Sequence, residues 1–420
     1  MKVLVIGSGG REHALTWALA RSARVREIIA TPGNAGIAEL ARIVPDEGLA
    51  ALPALATRER IDLAVIGPEA PLAAGVADLL RDAGVPVFGP GRDGARLEAS
   101  KAYAKAFMER HGVPTAAFRT FTAPAPALAY LRERGAPIVV KDSHLAAGKG
   151  VTVADDEAQA EEALRALFAR PNAEVVLEER LAGQELSVML LTDGRATFEL
   201  PLSQDHKQLG DGDVGPMTGG MGAVAPVPLL NEAQRERLDA EIVRPVLAGL
   251  AADGIDYRGA LFLGVMWTDA GPKLLEINVR LGDPETQTVL PLLDSDLAGV
   301  LEALDQRRLT EVVPAWRPAA AATVVLAAPG YPGDYQKGVP LHLSEALEAD
   351  VLMFHAGTRR DGGRLVSSGG RVLAVTAVDA DIPAAVDKAY REVARVGFPG
   401  ALYRRDIGGR ISAAGAEGVR

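Results

Sequence analysis

Hydrophobic and polar positions in the first hundred residues alternate between two periods. Short β-branched runs at 3–6, 27–30, 63–66 and 86–88 each stop at Gly or Pro turn chemistry. Helical spacing at 12–21, 49–58 and 72–83 fills the gaps between them. Strands alternating with helices predict a doubly wound, mainly parallel sheet. One helix is predicted over 98–111, ending at Gly112-Val113-Pro114. A second unit follows, with strands at 137–141, 151–154 and 174–177 and a helix over 156–169. Residues 186–191 and 196–201 read as a hairpin around Asp193-Gly194, and 260–267 with 274–278 as another around Asp269-Ala270-Gly271. The polar, Gly-rich stretch 203–222 shows no regular pattern and is long for a connection, as functional loops often are. Beyond 314–318, strands at 323–328, 351–356 and 372–377 and a helix over 382–396 suggest a separate C-terminal lobe. No repeat of fixed period occurs.

Composition narrows the class. A chain of 420 residues exceeds one core and predicts several domains. A formal charge of −10 argues against nucleic acid, whose phosphates need clustered Lys and Arg. No cysteine is present, which removes disulfides, thiolate metal sites and thiol nucleophiles. Neither a secretory segment nor an apolar run of membrane-spanning length is seen, so a cytoplasmic enzyme without membrane contact is expected. Of nine lysines, five (Lys101, Lys105, Lys141, Lys149, Lys207) fall within about a quarter of the chain. Where Arg otherwise supplies surface charge, that choice suggests phosphate neutralisation by compact cations.

Candidate chemistry sits at the turns. Gly7-Ser8-Gly9-Gly10-Arg11-Glu12-His13 joins a strand to a helix, where free N–H groups favour an anion. A dinucleotide fingerprint fails, because Glu12 holds the third glycine position and the second strand ends at Thr31-Pro32-Gly33 without a carboxylate. The phosphate of a smaller ligand, or a tight turn with none, remains. Lys141 closes a strand before Leu145-Ala146-Ala147-Gly148-Lys149-Gly150, which joins two strands and is therefore no Walker loop. Such a hairpin tip can still fold over phosphates, with Lys141 reaching the same ligand; a plain flexible tip is the alternative. Glu276 and Asn278, two apart on a strand, share one face as hard oxygen ligands for Mg²⁺. Arg280 joins them there if the strand continues, and Asp283-Pro284-Glu285-Thr286-Gln287 adds oxygens. Glu178-Glu179 at a strand end fits an adenine edge and Glu185 a ribose, or all three are merely solvated. His206, in Ser203-Gln204-Asp205-His206-Lys207, is a general base or, the reading preferred here, orients a ligand.

The order of these pieces resembles the ATP-grasp superfamily. The stretches GSGGREHAL (7–15), PGNAG (32–36), GPEAPL (67–72), LAAGKGV (145–151), SQDHK (203–207), TGGMGA (218–223), NVRLGDPETQ (278–287), YPGDY (331–335) and FHAGT (354–358) are similar to the phosphoribosylamine–glycine ligase family over nearly the whole chain. The resemblance implies an α/β and α+β multidomain fold. An N-terminal doubly wound sheet (1–100) would precede an ATP-grasp core of two α+β modules (101–187 and 188–315) and a small C-terminal lobe (323–420). It implies that ATP, glycine and 5-phosphoribosylamine give glycinamide ribonucleotide, ADP and phosphate; another ATP-grasp ligase or carboxylase of purine synthesis is the alternative. ATP would meet Lys101, Lys141, Gly148, Lys149, Gly150, Glu178, Glu179, Leu181 and Glu185, and Mg²⁺ or Mn²⁺ would meet Glu276 and Asn278. Gly9, Gly10, Arg11, Glu12, His13, Asn34, Glu69, Asp205, His206, Lys207, Gly220, Met221 and Asp283 would surround the small-molecule substrates. Arg280, Lys141 and Lys149 would be catalytic. Transient contact with neighbouring purine-pathway enzymes fits the same picture. One departure stands out: Lys141-Asp142-Ser143-His144 replaces the family's Lys-Ala-Asp-Gly, and His144 removes a permissive backbone position.

Overall fold

The computed structural model describes residues 1–146 and 150–409. Val3, Leu4, Val5 and Ile6 are at most 3% exposed, which suits a parallel strand covered on both faces. This strand, β1 (Lys2–Gly7), is central in a parallel sheet with β2 (Glu27–Pro32), β3 (Arg42–Ile43), β4 (Leu63–Ile66) and β5 (Val87–Phe88). The order β3-β2-β1-β4-β5 reverses direction between β1 and β4, and ligands of such sheets bind outside the carboxyl ends at that switch point. Gly7-Ser8-Gly9 and Gly67-Pro68-Glu69 leave the sheet there.

The next unit is antiparallel: β6 (Phe118–Phe121), β7 (Ile138–Asp142), β8 (Val151–Ala154) and β9 (Val175–Glu179), in the order β6-β9-β7-β8. Ile138, Val140, Val175 and Leu177 pack with Leu131 and Leu164 of the helices Pro124–Arg134 and Glu157–Phe168. Period-2 alternation then turns Val139, Lys141, Val176 and Glu178 to the opposite face.

The chain continues through β10 (Gln184–Thr192), β11 (Thr197–Glu199), β12 (Gln204–Asp205), β13 (Gln208–Gly210), β14 (Val214–Met217), β15 (Gly222–Ala225), β16 (Gly259–Thr268) and β17 (Gly271–Asn278). Four of these make the antiparallel sheet β11-β10-β16-β17. Residues 320–379 add β18 (Ala320–Ala327), β19 (Val351–His355), β20 (Thr358–Asp361), β21 (Arg364–Ser367) and β22 (Arg371–Asp379). Among the described residues no helix is long and apolar enough to cross a membrane.

Three expectations change. The helix predicted over 98–111 is two, Arg92–Ala99 and Lys101–Arg110, because Ser100 is extended and caps the second through Oγ, which accepts from Tyr103 N at 3.1 Å. The stretch 203–222 is folded, with β13 and β14 paired as a hairpin and β12 paired to β15. Three of the C-terminal strands share a sheet with two strands that precede the expected boundary, in the order β12-β15-β18-β22-β19, while β20 and β21 pair only with each other. Strand β6 and the helix Pro124–Arg134 are additions to the sequence reading.

Candidate active site

A cavity of about 570 Å³ lies where these units meet, walled by the β1 and β4 turns, the lysine-bearing helix and strand, the end of β17 and the first residue of β22. At the β1 turn, Gly9 N donates to Glu12 Oε2 at 2.5 Å, and the Glu12 carboxylate folds back under the turn. A Cβ at Gly67 would lie 2.1 Å from Glu12 Oε1, so that glycine makes room for the carboxylate. The residue that spoils the dinucleotide fingerprint thus occupies a donor that a dinucleotide would use. Arg11 lines the cavity, with Nε 2.6 Å from Glu12 Oε1 and Nη1 donating to Leu281 O at 3.1 Å. Burial works against its charge, but Glu12, Asp283 and Glu69 hold its pKa above the ordinary value.

One wall is cationic. Glu178 Oε2 stands 2.5 Å from Lys105 Nζ, and Oε1 is ion-paired to Lys141. Both lysines line the cavity, with Glu178 buried behind them. Lys105 Nζ also donates to Thr115 Oγ1 at 2.7 Å. Lys101 opens the helix capped by Ser100, and its Nζ donates to His144 O at 3.2 Å. Burial lowers the pKa of both Lys101 and Lys105, with Glu276 opposing it for the first and Glu178 for the second.

The facing wall carries carboxylates and guanidinia. A bulge at Leu275 breaks the β16–β17 register, so Leu274 and Ile277 both enter the core while Glu276 and Asn278 face the cavity. Asn278 Nδ2 lies 3.4 Å from Glu276 Oε1. Burial favours protonation of Glu276, yet Lys207, Lys141 and Lys101 together hold its pKa at about 2. The strand ends at Asn278, but Arg280 remains alongside: its Nη2 is 3.3 Å from Asn278 Oδ1 and 2.9 Å from Glu98 Oε1. Lys207 is ion-paired to Glu185 and lies 3.6 Å from Glu276; these carboxylates and Asp205 raise its pKa against the effect of burial. Asp205 and Glu285, both lining the cavity, are pushed above the usual carboxylate range, first by burial and for Asp205 by Glu285 as well. An ionised Glu276 beside an amide oxygen donor fits a hard divalent cation that takes its other ligands from phosphate and water.

The sequence-predicted residues separate into wall and support. Gly9, Arg11, Glu12, Glu69, Lys101, Lys141, Gly150, Asp205, Lys207, Glu276, Asn278, Arg280 and Asp283 line the cavity. The positions of Gly148 and Lys149 lie outside the described residues. The remaining candidates sit behind or beside the wall. His13 is buried, its Nδ1 accepting from His355 N at 2.7 Å, and burial drives its pKa to about 3. Asn34 donates to Ser8 O at 2.9 Å and His355 O at 2.7 Å while its Oδ1 accepts from Gly36 N and Ile37 N, so it shapes the phosphate turn from below. His206 is fully buried, with Nε2 accepting from Gly408 N at 3.4 Å. Gly10 and Gly220 make close approaches to Gln287 and Pro284, and Met221 packs against Tyr331. Glu179 is exposed at the end of β9 and Leu181 is half-buried beyond it. Sequence reasoning missed Glu98 and Arg371, and reached Lys105 and Glu285 only as members of a cluster and a turn. The lysine cluster pointed to Lys105 and the 283–287 turn to Glu285. Arg371, whose Nη1 donates to Gly219 O at 2.6 Å and Asp283 O at 2.5 Å, has no local motif.

Comparison with known proteins agrees over the whole length. Residues 1–98, 99–286 and 321–410 match the profiles described as the N domain, the ATP-grasp (A) domain and the C domain of phosphoribosylglycinamide synthetase. A phosphoribosylamine–glycine ligase of Rhizobium meliloti (strain 1021) is 48% identical over 419 residues, 98% of this chain and 99% of that one. The trifunctional purine biosynthetic protein adenosine-3 of Gallus gallus is 45% identical over 98% of this chain and 42% of its own length. The crystal structure of phosphoribosylamine–glycine ligase from Thermotoga maritima superposes with a TM-score of 0.85 at 36% identity, covering 97% of this chain and 100% of that one.

Proposed function

The chain belongs to the phosphoribosylglycinamide synthetase family and is an ATP-dependent ligase joining glycine to phosphoribosylamine in purine biosynthesis; from that premise we propose that the acyl group travels as glycyl phosphate. The observation that carries this reading is the opposition of two walls in one cavity, lysines on one side and carboxylates with guanidinia on the other. ATP lies with its phosphates along Lys101 and Lys141, and Glu178 fixes Lys141 from behind. Glu276 and Asn278 hold the divalent cation, Mg²⁺ or Mn²⁺, which when bound neutralises phosphate charge.

Glycine lies between the walls. Its carboxylate meets Arg280, and its ammonium meets Asp205 and Glu285, two buried carboxyls whose pKa values burial raises. A carboxylate oxygen attacks the γ-phosphorus and ADP leaves. Water or carboxylate is a poor leaving group and phosphate a good one, which is what this step gains. The amine of phosphoribosylamine, whose phosphate rests on the Gly9–Arg11 turn, then attacks the acyl carbon, phosphate departs, and the amine loses a proton. Positioning and charge neutralisation by Lys141 and Arg280 supply the acceleration, with no covalent enzyme intermediate. The longer chicken relative, matched over part of its length, makes transient contact with neighbouring enzymes of the pathway a reading for this chain also.

The test uses glycine labelled with ¹⁸O in its carboxylate, Mg-ATP, and phosphoribosylamine formed in place from ribose 5-phosphate and ammonia. Transfer of one labelled oxygen to the released phosphate is expected. Turnover that leaves phosphate unlabelled would overturn the acyl phosphate.

A further inference from the structure

Outside the cavity, Arg404 is the largest side chain that is fully buried, at 1% exposure. Its guanidinium makes a two-point contact with Asp406, Nε to Oδ1 at 2.7 Å and Nη2 to Oδ2 at 2.6 Å. Its Nη1 donates to Asp213 Oδ1 at 2.7 Å and to Gln208 O at 3.1 Å. The flanking backbone repeats the grip: Arg405 N donates to Asp211 Oδ1 at 2.8 Å, and Gly212 N to Asp406 Oδ2 at 2.8 Å. Tyr390 OH, from the helix Ile382–Val393, donates to Arg404 O at 2.8 Å and fixes the arginine to the C-terminal unit. Every contact on the far side falls on the β13–β14 hairpin, at its first strand and its tip.

That hairpin has little else to hold it. β13 and β14 pair only with each other, and an isolated two-stranded ribbon is marginal in water. Three of the four β14 residues are exposed, Val214 at 60%. Yet its two ends run straight into the cavity wall, at Asp205 and Lys207 on one side and Met217, Thr218 and Gly219 on the other. Asp205 is also held by the pairing of β12 with β15, and Lys207 O accepts from Thr218 N, but the hairpin between them is fixed at its tip by an arginine outside the cavity.

We propose that Arg404 is a positioning residue of the ligase, acting through the β13–β14 hairpin to hold Asp205, Lys207 and Gly219 against the amino-acid and amine substrates. It rests on the assignment of that wall to the acceptor side made above. The lysine wall that takes ATP is built on other elements and meets the hairpin only through Lys207 beside Glu185 and Glu276, so the effect falls chiefly on the acceptors. The rigid fork of arginine matters: lysine keeps the charge but cannot span Asp406, Asp213 and Gln208 O together.

The full-length chain carries the test, with KM and kcat measured separately for ATP, glycine and phosphoribosylamine, and hydrogen exchange read across 208–217. Removing a buried charge's partner is costly, so Arg404→Met can fail to fold. Asp213→Gly is the decisive variant, because it removes the acceptor that Arg404 Nη1 holds at the hairpin tip, and Gly tolerates the left-handed backbone there (φ 57°). Expected are faster exchange over 208–217 and a roughly tenfold rise in the acceptor KM values with that of ATP changed less, a 1 Å displacement being able to cost about a hundredfold. Arg404→Lys keeps the charge but loses the two-point contact with Asp406, and should show both effects at least as strongly as Asp213→Gly. Faster exchange with unaltered acceptor KM and kcat would overturn the proposal. Lys207→Ala separates the two readings. An effect on ATP alone there sinks the acceptor-side assignment, whereas an acceptor effect there with none in Asp213→Gly sinks the role of Arg404.

Discussion

Three lysines hold the Glu276 carboxyl at about 2 while burial pushes the other way. A carboxyl lowered in the folded state stays ionised through the neutral range, and the stability it brings is lost only as pH falls from the ordinary carboxylate value towards 2. Glu276→Ala is therefore expected to abolish ligation with the thermal transition retained near neutral pH; near-normal ADP release would remove it as a cation ligand. Asp205 and Glu285 carry the opposite sign. Their raised values mean that stability is fully present at low pH and is lost as pH rises through the folded pKa. Asp205→Asn keeps the acceptor for His206 N (2.7 Å in the parent) and removes one charge. Its Tm should exceed the parent's by about 1–4 °C near pH 8 and converge with it near about pH 4, while the glycine KM rises roughly tenfold. A Tm gap that does not change with pH would show that the pair does not repel. Residues of this kind were readable wherever one element carries the pattern: Glu276 and Asn278 follow from strand alternation. His13 and Asn34 were not placed correctly by pattern, because a motif marks the turn without saying which of its residues face the ligand and which support it. Arg371 was invisible because it acts across 88 positions of sequence on Asp283.

Elements were legible where period and turn chemistry agree, as in the β16–β17 hairpin with its tight turn after Thr268. They failed where a local hydrogen bond overrides the period. The helical pattern across 98–111 is unbroken in sequence, but Ser100 and Ser143 pin the chain between two helices: Lys101 N donates to Ser143 O at 2.8 Å and Ala102 N to Ser143 Oγ at 3.0 Å. The cap thus fixes the start of the helix that delivers Lys101, and it does so against the very loop where this sequence departs from its family. Ser100→Ala should cost about 1 kcal/mol of stability and raise the ATP KM without raising that of glycine. Thermal melts and the two KM values decide it; equal effects on both substrates would mean that the cap supports the fold in general and not the nucleotide wall. The 203–222 stretch failed for another reason. Its strands are two to four residues long, too short to show a period, and the one distant pairing, β15 with β18, lies outside any local window.

At the scale of the molecule, the change of character after 314–318 suggested a separate C-terminal lobe; residues 321–410 match the family's C domain, and its main sheet is shared with strands that precede it. β15 is wholly buried and pairs with β18, register Ala223 to Thr323, and β18 pairs in turn with β22. A chain of hydroxyls crosses the same boundary, Thr288 Oγ1 to Thr323 Oγ1 at 2.8 Å and Thr323 Oγ1 to Thr376 Oγ1 at 2.8 Å, tying the helix Glu285–Val289 to the C-terminal strands. Arg371 then carries the connection into the cavity through Gly219, Gly220 and Asp283. A chain ended at Arg317 would leave the backbone groups of β15 that face β18 unpaired and remove Thr323 from Thr288, in addition to losing a cavity arginine. Unpaired buried groups cost about 1–3 kcal/mol each, against a total stability of order 5–15 kcal/mol for a domain. The truncated chain is therefore expected to lose the cooperative transition of residues 188–317 and all glycine-dependent ADP release, while the 1–98 sheet, whose strands pair among themselves, keeps its exchange protection. Sharp cooperative melting of the truncated protein by circular dichroism, with exchange protection retained across Gly222–Ala225, would mean that the C-terminal strands dock onto a sheet already complete, and that the boundary suggested by the sequence is the physical one.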